Sequence, residues 1–206
     1  MVSVKGIVRR VCGRTPEPLT GPRSYDDGVS RALLLAGLTL LVPPAQRLAP
    51  FVATPEDVVD RMLVLAGTTK TDVVYDLGSG DGRIPIRAAV RYGAKGVGIE
   101  IDPTLVETAR ANAKSAGVEH LVEFRLQDAM EADVSEATIV TLYILSSGNA
   151  KLRPLLTRQL PPGARIVSHA FSMGPTWPAD KTEHFTSVDG DEITLYLWKA
   201  DGRIRP

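Results

Sequence analysis

Cysteine is almost absent from this chain. Cys12 is the single one in 206 residues, which excludes an internal disulfide and any cysteine-held metal cluster and makes a reducing compartment the simple reading. Histidine is scarce too. His120, His169 and His184 are scattered without metal-ligand spacing, so no metal is expected. Neither sign of charge is in excess, with 24 basic residues against 24 acidic. Without a global basic field, a nucleic-acid partner is disfavoured. No run is apolar enough for a membrane span: residues 32–42 are uncharged but stop at Pro43-Pro44, short of the roughly 20 residues a spanning helix needs. There is no internal repeat and no evident catalytic triad. The length suits one domain with a full core and some extra chain.

What the chain does have is Val73-Val74-Tyr75-Asp76-Leu77-Gly78-Ser79-Gly80-Asp81-Gly82-Arg83-Ile84. Val73 to Leu77 reads as a short strand buried on both faces. Glycines at 78, 80 and 82 allow a sharp turn and close approach of a ligand to the main chain. A helical pattern runs from about Arg83 to Tyr92. Such a turn alone could serve NAD, FAD, a phosphate or nothing. Asp76 narrows the choice, because a carboxylate at the strand end repels a pyrophosphate and welcomes a cation. S-adenosylmethionine (SAM) has such an end, an ammonium beside a sulfonium. The Asp-x-Gly-x-Gly-x-Gly spacing also departs from the Gly-x-Gly-x-x-Gly of dinucleotide folds. The next strand, Gly96-Val97-Gly98-Ile99-Glu100, ends in an acid placed to accept ribose hydroxyls.

These residues, with Gln127-Asp128-Ala129, resemble the class I, seven-strand SAM-dependent methyltransferases over roughly Pro50 to Lys199. The resemblance implies an α/β fold: a Rossmann-like doubly wound seven-strand sheet in the order 3-2-1-4-5-7-6, its last strand antiparallel, with an N-terminal helical extension. It also implies roles. Asp76 and the backbone of Gly78, Ser79, Gly80, Asp81 and Gly82 would hold the methionine part, Glu100 the ribose, and Asp128 with the Ala129 N–H the adenine. A Pro-Phe-Val-x-Thr-Pro-like segment at 50–55 carries a narrower likeness, to the lysine methyltransferases of the mitochondrial ATP synthase c-ring protein and the adenine nucleotide translocase, and more closely to their shorter bacterial relatives. In that group the segment lies by the SAM pocket, so Phe51 and Thr54 become candidate contacts for cofactor or substrate. The acceptor implied is a lysine of a protein substrate.

Three segments are expected: a flexible tail over 1–27, an apolar helical extension over 28–49, and the methyltransferase domain over 50–206. Residues 32–42 read as a helix packed on the domain or as a peripheral membrane contact. Both are favoured over an export signal, because SAM is made and kept in the cytosol; the expected location is cytoplasmic, with membrane association through 32–42. Thr54 and Pro55 read as N-cap and first turn of a helix, with Asp57 completing a capping box. Asp102 and Pro103 open another helix, to about Ser115. Strands are expected over 121–126, 137–145 and 164–171, with 146–149 as a loop, and a hairpin over 185–188 and 192–199.

Ligands of an open parallel sheet sit beyond the strand carboxyl ends. Many DNA, RNA and glutamine methyltransferases carry an Asn/Asp-Pro-Pro-Tyr-like motif after the fourth strand. Here Leu142-Tyr143-Ile144-Leu145 stands instead, which counts against nucleobase amines and side-chain amides. Tyr143 is the first candidate to line an acceptor channel, or a core aromatic. His169 is a candidate base or a structural histidine. Trp177 and Asp180 are candidates for an aromatic, acidic lip around a lysine ammonium, or a loop anchored by a buried Trp. A small-molecule O- or N-methyltransferase, a non-catalytic SAM-binding module and an NAD oxidoreductase stay open as alternatives.

Overall fold

The computed structural model describes residues 51–206. The expected tail over 1–27 and the apolar extension over 28–49 lie outside the described residues, as does Cys12.

The order of elements is α1 (Glu56–Leu65), β1 (Val73–Leu77), α2 (Arg83–Tyr92), β2 (Lys95–Glu100), α3 (Pro103–Ser115), β3 (Val122–Leu126), β4 (Ile139–Leu142), α4 (Ser146–Gln159), β5 (Arg165–His169), β6 (Lys181–Thr186) and β7 (Glu192–Lys199), with a 3-10 turn at Ala129–Glu131. The seven strands form one sheet in the order β3-β2-β1-β4-β5-β7-β6. β7 alone among them runs antiparallel to its neighbours β5 and β6. This is the doubly wound sheet expected from the sequence.

Period-two alternation places β1 in two cores. Tyr75 and Leu77 pack into the apolar layer beside α4, with Leu152, Leu156 and Trp198. Val74 faces the opposite layer, with Val58, Met62 and Leu63 of α1 and Ile84 and Ala88 of α2. Both faces of the strand are therefore dry, as a central parallel strand requires. Asp102 caps α3 as expected, accepting the Thr104 N–H at 2.9 Å ahead of Pro103.

Several local expectations are corrected. The capping box at Thr54 is not made: α1 starts one residue later, Pro55 stands at its N-cap position, and no side chain caps it. Asp57 instead accepts the N–H of Val188, in the hairpin between β6 and β7, at 2.9 Å. β4 ends at Leu142, and residues 146–149, expected as a loop, form the first turn of α4, with the Asn149 N–H donating to the Leu145 carbonyl at 3.0 Å. The first hairpin arm begins at Lys181, four residues before the expected start, because Lys181 and Thr182 already pair with Leu197 and Tyr196.

The amino edge of the sheet is tied by Asp72. Its Oδ1 accepts the Thr138 hydroxyl at 2.7 Å and pairs with Arg165, while Oδ2 accepts the Thr69 N–H and hydroxyl, both at 2.8 Å. One buried carboxylate thus joins the entries of β1, β4 and β5. Burial alone pushes its pKa up, but these hydrogen bonds outweigh burial and hold it below the ordinary 3.8. Its contribution to stability is present above the ordinary value and lost as pH falls through the lowered one. Asp72→Asn is therefore expected to cost about 2–3 kcal/mol at pH 7 in denaturant melts. The gap to the parent should shrink below pH 4.

Candidate active site

The strand register builds the site. Asp76, the penultimate residue of β1, lies between Gly98 of β2 and Thr141 of β4. Thr141 donates its hydroxyl to Asp76 Oδ1 at 2.7 Å. Gly98 leaves the other side without a side chain, and the space a Cβ would occupy lies within 2.6 Å of Ser79 Oγ and the Phe124 ring. Asp76 is 3 % exposed. Burial pushes its pKa up strongly, the Thr141 hydrogen bond opposes this, and the nearby charges of Glu100 and Asp81 add to the rise, bringing it to about 7. Among the described residues no Lys, Arg or His forms an ion pair with it. A desolvated acid without a protein cation, set in a cleft wall, suits a positively charged ligand.

The turn after β1 does not offer its amides as a phosphate cradle does. The N–H groups of Gly78 and Ser79 both donate to the Ile99 carbonyl, at 2.8 and 3.0 Å. The Gly80 N–H donates to Glu100 Oε2 at 2.9 Å. With its first three amides engaged inside the protein, the turn fits the non-phosphate ligand that Asp76 selects. Gly80 has φ +53°, and a Cβ there would lie 2.2 Å from the Phe51 ring, so only glycine lets this ring rest on the turn.

The cleft opens at the carboxyl ends of β1, β2 and β4. It encloses about 820 Å³, part of it open to solvent, and is lined by Phe51, Val52, Thr54, Asp76, Gly78, Ser79, Asp81, Arg83, Ile84, Ile99, Glu100, Ile101, Leu105, Gln127, Asp128, Ala129, Tyr143 and Ile144. Residues far apart in the chain are gathered here. Glu100 Oε1 also accepts the N–H groups of Ile101 and Asp102, at 2.8 and 2.9 Å, which fixes the carboxylate at the end of β2. Asp128 caps the 3-10 turn by accepting the Met130 N–H at 2.8 Å, which sets its carboxylate and Ala129 at the cleft wall. Gly80 and Gly82 complete the turn beneath, and the Gly82 N–H closes it on the Ser79 carbonyl at 2.9 Å. Asp81 faces the cleft but is held by the Arg83 guanidinium at 2.6 and 2.9 Å. The buried Ser79 hydroxyl has no partner among the described residues.

Fold and site together decide the family. The profile of the ANTKMT methyltransferase domain matches residues 76–181. The chain belongs to this methyltransferase family. A protein-lysine N-methyltransferase of Saccharolobus islandicus is 45 % identical over 125 residues, 60 % of this chain and 78 % of that protein. A Xenopus laevis lysine N-methyltransferase named for the C-subunit of ATP synthase is 32 % identical over 171 residues, 82 % of this chain and 73 % of that one. A solved structure, named as an RNA methyltransferase from Salinibacter ruber in complex with S-adenosyl-L-homocysteine, is 59 % identical with a TM-score of 0.69, covering 75 % of this chain and 97 % of that one. The cofactor is SAM. The Asp76 carboxylate, without a protein cation, suits the ammonium of its amino-acid end, and Glu100 and Asp128 line the same cleft.

The acceptor-side candidates divide. Tyr143 lines the cleft. His169 does not; it is buried and stacks on Tyr143, ring centroids 4.0 Å apart, with Phe171 on the same tyrosine at 6.2 Å. Burial pulls the His169 pKa down to about 4, so the ring is neutral at physiological pH, and its buried Nδ1 has no partner among the described residues. The stack places it behind Tyr143, outside the cleft lining. Trp177 and Asp180 are corrected outright. Trp177 is buried against Trp198, whose indole N–H donates to the Trp177 carbonyl at 2.9 Å. Asp180 accepts the Lys199 N–H, and Lys199 pairs with Arg165 at the start of β5. Asp180 thus lies at the amino edge of the sheet, opposite the cleft.

The site residues sequence reasoning missed are Thr141, Arg83 and the apolar wall of Ile99, Ile101, Leu105 and Ile144. Arg83 stood in the motif itself, but nothing in the spacing told what it grips.

Asp76→Asn keeps the Thr141 hydrogen bond and removes the charge. A raised pKa means that the folded state loses stability as pH climbs through about 7. The variant should therefore be more stable than the parent at pH 8, by on the order of 2–4 kcal/mol without ligand, while its SAM affinity by calorimetry falls at least about a hundredfold. His169→Phe preserves the stack and should keep kcat within about threefold with an unchanged pH profile, whereas His169→Ala should lower kcat on the order of tenfold.

Proposed function

We propose that this enzyme methylates the side-chain amine of lysine in a protein substrate. The observation that carries the reading is the charge of the cleft. Asp76, Asp81, Glu100 and Asp128 line it against a single arginine among the described residues, Arg83, which is itself paired with Asp81. Such a mouth draws in an ammonium and repels a phosphate backbone. The lysine methyltransferases among its relatives support the same acceptor.

Bound there, SAM supplies a methyl group already activated on its sulfonium, so the protein's task is alignment and desolvation. Asp76 would hold the positive amino-acid end, and Glu100 and Asp128 would hold the nucleoside. Tyr143 and Ile144 then form an apolar wall that favours the neutral amine needed for attack, by the same desolvation that lowers the pKa of a buried lysine. His169 and Phe171 keep the Tyr143 ring in place.

A nucleic-acid acceptor is the second reading, favoured by the name of the Salinibacter ruber structure. The acidic cleft and the absence of an Asn/Asp-Pro-Pro-Tyr-like motif after β4 weigh against it. Cytoplasmic residence belongs to this proposal because SAM is made and kept in the cytosol, and peripheral membrane contact through 32–42 because that stretch is apolar and uncharged.

Purified protein incubated with methyl-labelled SAM and a cell extract is expected to transfer label to lysines of discrete protein bands, insensitive to ribonuclease and removed by protease. Ribonuclease-sensitive label would overturn the lysine assignment in favour of RNA. Label confined to small molecules would overturn it in favour of a metabolite acceptor.

A further inference from the structure

Arg83, the first residue of α2, reaches in two directions. Its Nε and Nη2 grip the Asp81 carboxylate at 2.9 and 2.6 Å, and its Nη1 donates to the Thr54 carbonyl at 2.7 Å. Asp81 is braced from behind, since Asn112 of α3 donates its Nδ2 hydrogen to the Asp81 carbonyl at 2.9 Å. The guanidinium therefore bridges a fixed point of the glycine turn to the short strap of residues 51–54 ahead of α1. Within that strap Thr54 is buried, but its first two residues are open to solvent. Thr54 makes no cap, and Phe51 and Val52 are 46 % and 57 % exposed although both line the cleft. The Phe51 ring lies on Gly80 at the place where a side chain would collide with it.

We propose that Arg83 is a positioning residue, a latch that holds the 51–54 strap over the glycine turn and so governs how long the cofactor stays bound. This rests on the reading of the cleft as the SAM site. The guanidinium suits the task because its planar fork serves the carboxylate and the carbonyl at once, which a lysine ammonium cannot do with the same geometry. Phe51 lines the same cleft as Asp76 and Glu100, and on this proposal its ring, resting on Gly80, slows exchange of a ligand seated on them. The energy that keeps it down includes the charge-assisted hydrogen bond from Arg83 to the Thr54 carbonyl. Losing a bond of that kind corresponds to about a tenfold change in an equilibrium or rate.

The experiment measures dissociation of labelled S-adenosylhomocysteine, chased by excess unlabelled compound, from the full chain and from Arg83→Ala, Arg83→Lys, Phe51→Ala and the Arg83→Ala/Phe51→Ala double variant. Amide hydrogen exchange over the strap is followed in parallel. Dissociation is expected to be about tenfold faster in Arg83→Ala and only partly restored in Arg83→Lys, with faster exchange confined to the strap and the turn. The double variant should be little faster than either single one, because both substitutions release the same strap. Parent-like dissociation in folded Arg83→Ala, or full additivity in the double variant, overturns the latch. If Arg83→Ala does not fold, Arg83→Lys carries the test, and parent-like dissociation there overturns the latch equally. A parent protein that binds no S-adenosylhomocysteine would instead overturn the cofactor assignment, so the two failures are told apart.

Discussion

A buried carboxylate with no protein cation to pair with is costly, and much of this molecule is arranged around one. Asp76 is dehydrated by the layers on either side of β1, receives one hydroxyl from Thr141, and lies close to two more acids. No cation among the described residues pairs with that charge. A ligand with an ammonium does, and the gain on binding is the larger because the free site is destabilised. Stability is set against function here, as at many binding sites, and the amino edge of the sheet shows the contrast. Asp72 is also buried but fully engaged by Thr69, Thr138 and Arg165, so its charge is stabilised in place.

The two carboxylates also divide the sheet into a structural edge and a chemical edge. At the amino ends of β1, β4 and β5 hydrogen bonds close on one another. At the carboxyl ends acids accumulate, the chain turns on glycines, and Tyr143 emerges from β4 toward the cleft. Acids in excess over bases make this mouth attractive to a cation, in a protein whose overall charge is balanced. A balanced total says little about a local field.

Strand and helix identity was legible in the sequence wherever apolar spacing and turn chemistry agreed. β1, the glycine turn, α2 and the Asp102-capped α3 are of this kind, and so is the acid ending β2. The fold followed from their order through a family resemblance. Legibility failed where two local signals competed. Thr54 has the chemistry of an N-cap, yet the chain there serves the cleft, and its carbonyl is taken by Arg83. Ser146 to Asn149 has loop composition, but the Leu145 carbonyl accepts the N–H groups of Gly148 and Asn149 and starts a helix. Trp177 and Asp180 looked like a ligand lip because aromatics and acids in loops commonly are. Their loop crosses the sheet from the carboxyl edge of β5 to the amino end of β6, and that carries both away from the cleft.

The sequence by itself determined most of the elements, their order, and that Asp76, Glu100 and Asp128 stand at or just beyond strand ends, because apolar alternation and turn residues mark where a strand stops. Only the tertiary structure decided the environment of those acids. Thr141 meets Asp76 through a register between strands separated by 65 positions; Arg83 meets Thr54 across 29. His169 becomes a stacked, neutral ring because two strand ends converge. Local pattern reports which side chains are present and which face they take. Pairing register and layer packing choose their neighbours, and the neighbours set charge state, reach and role.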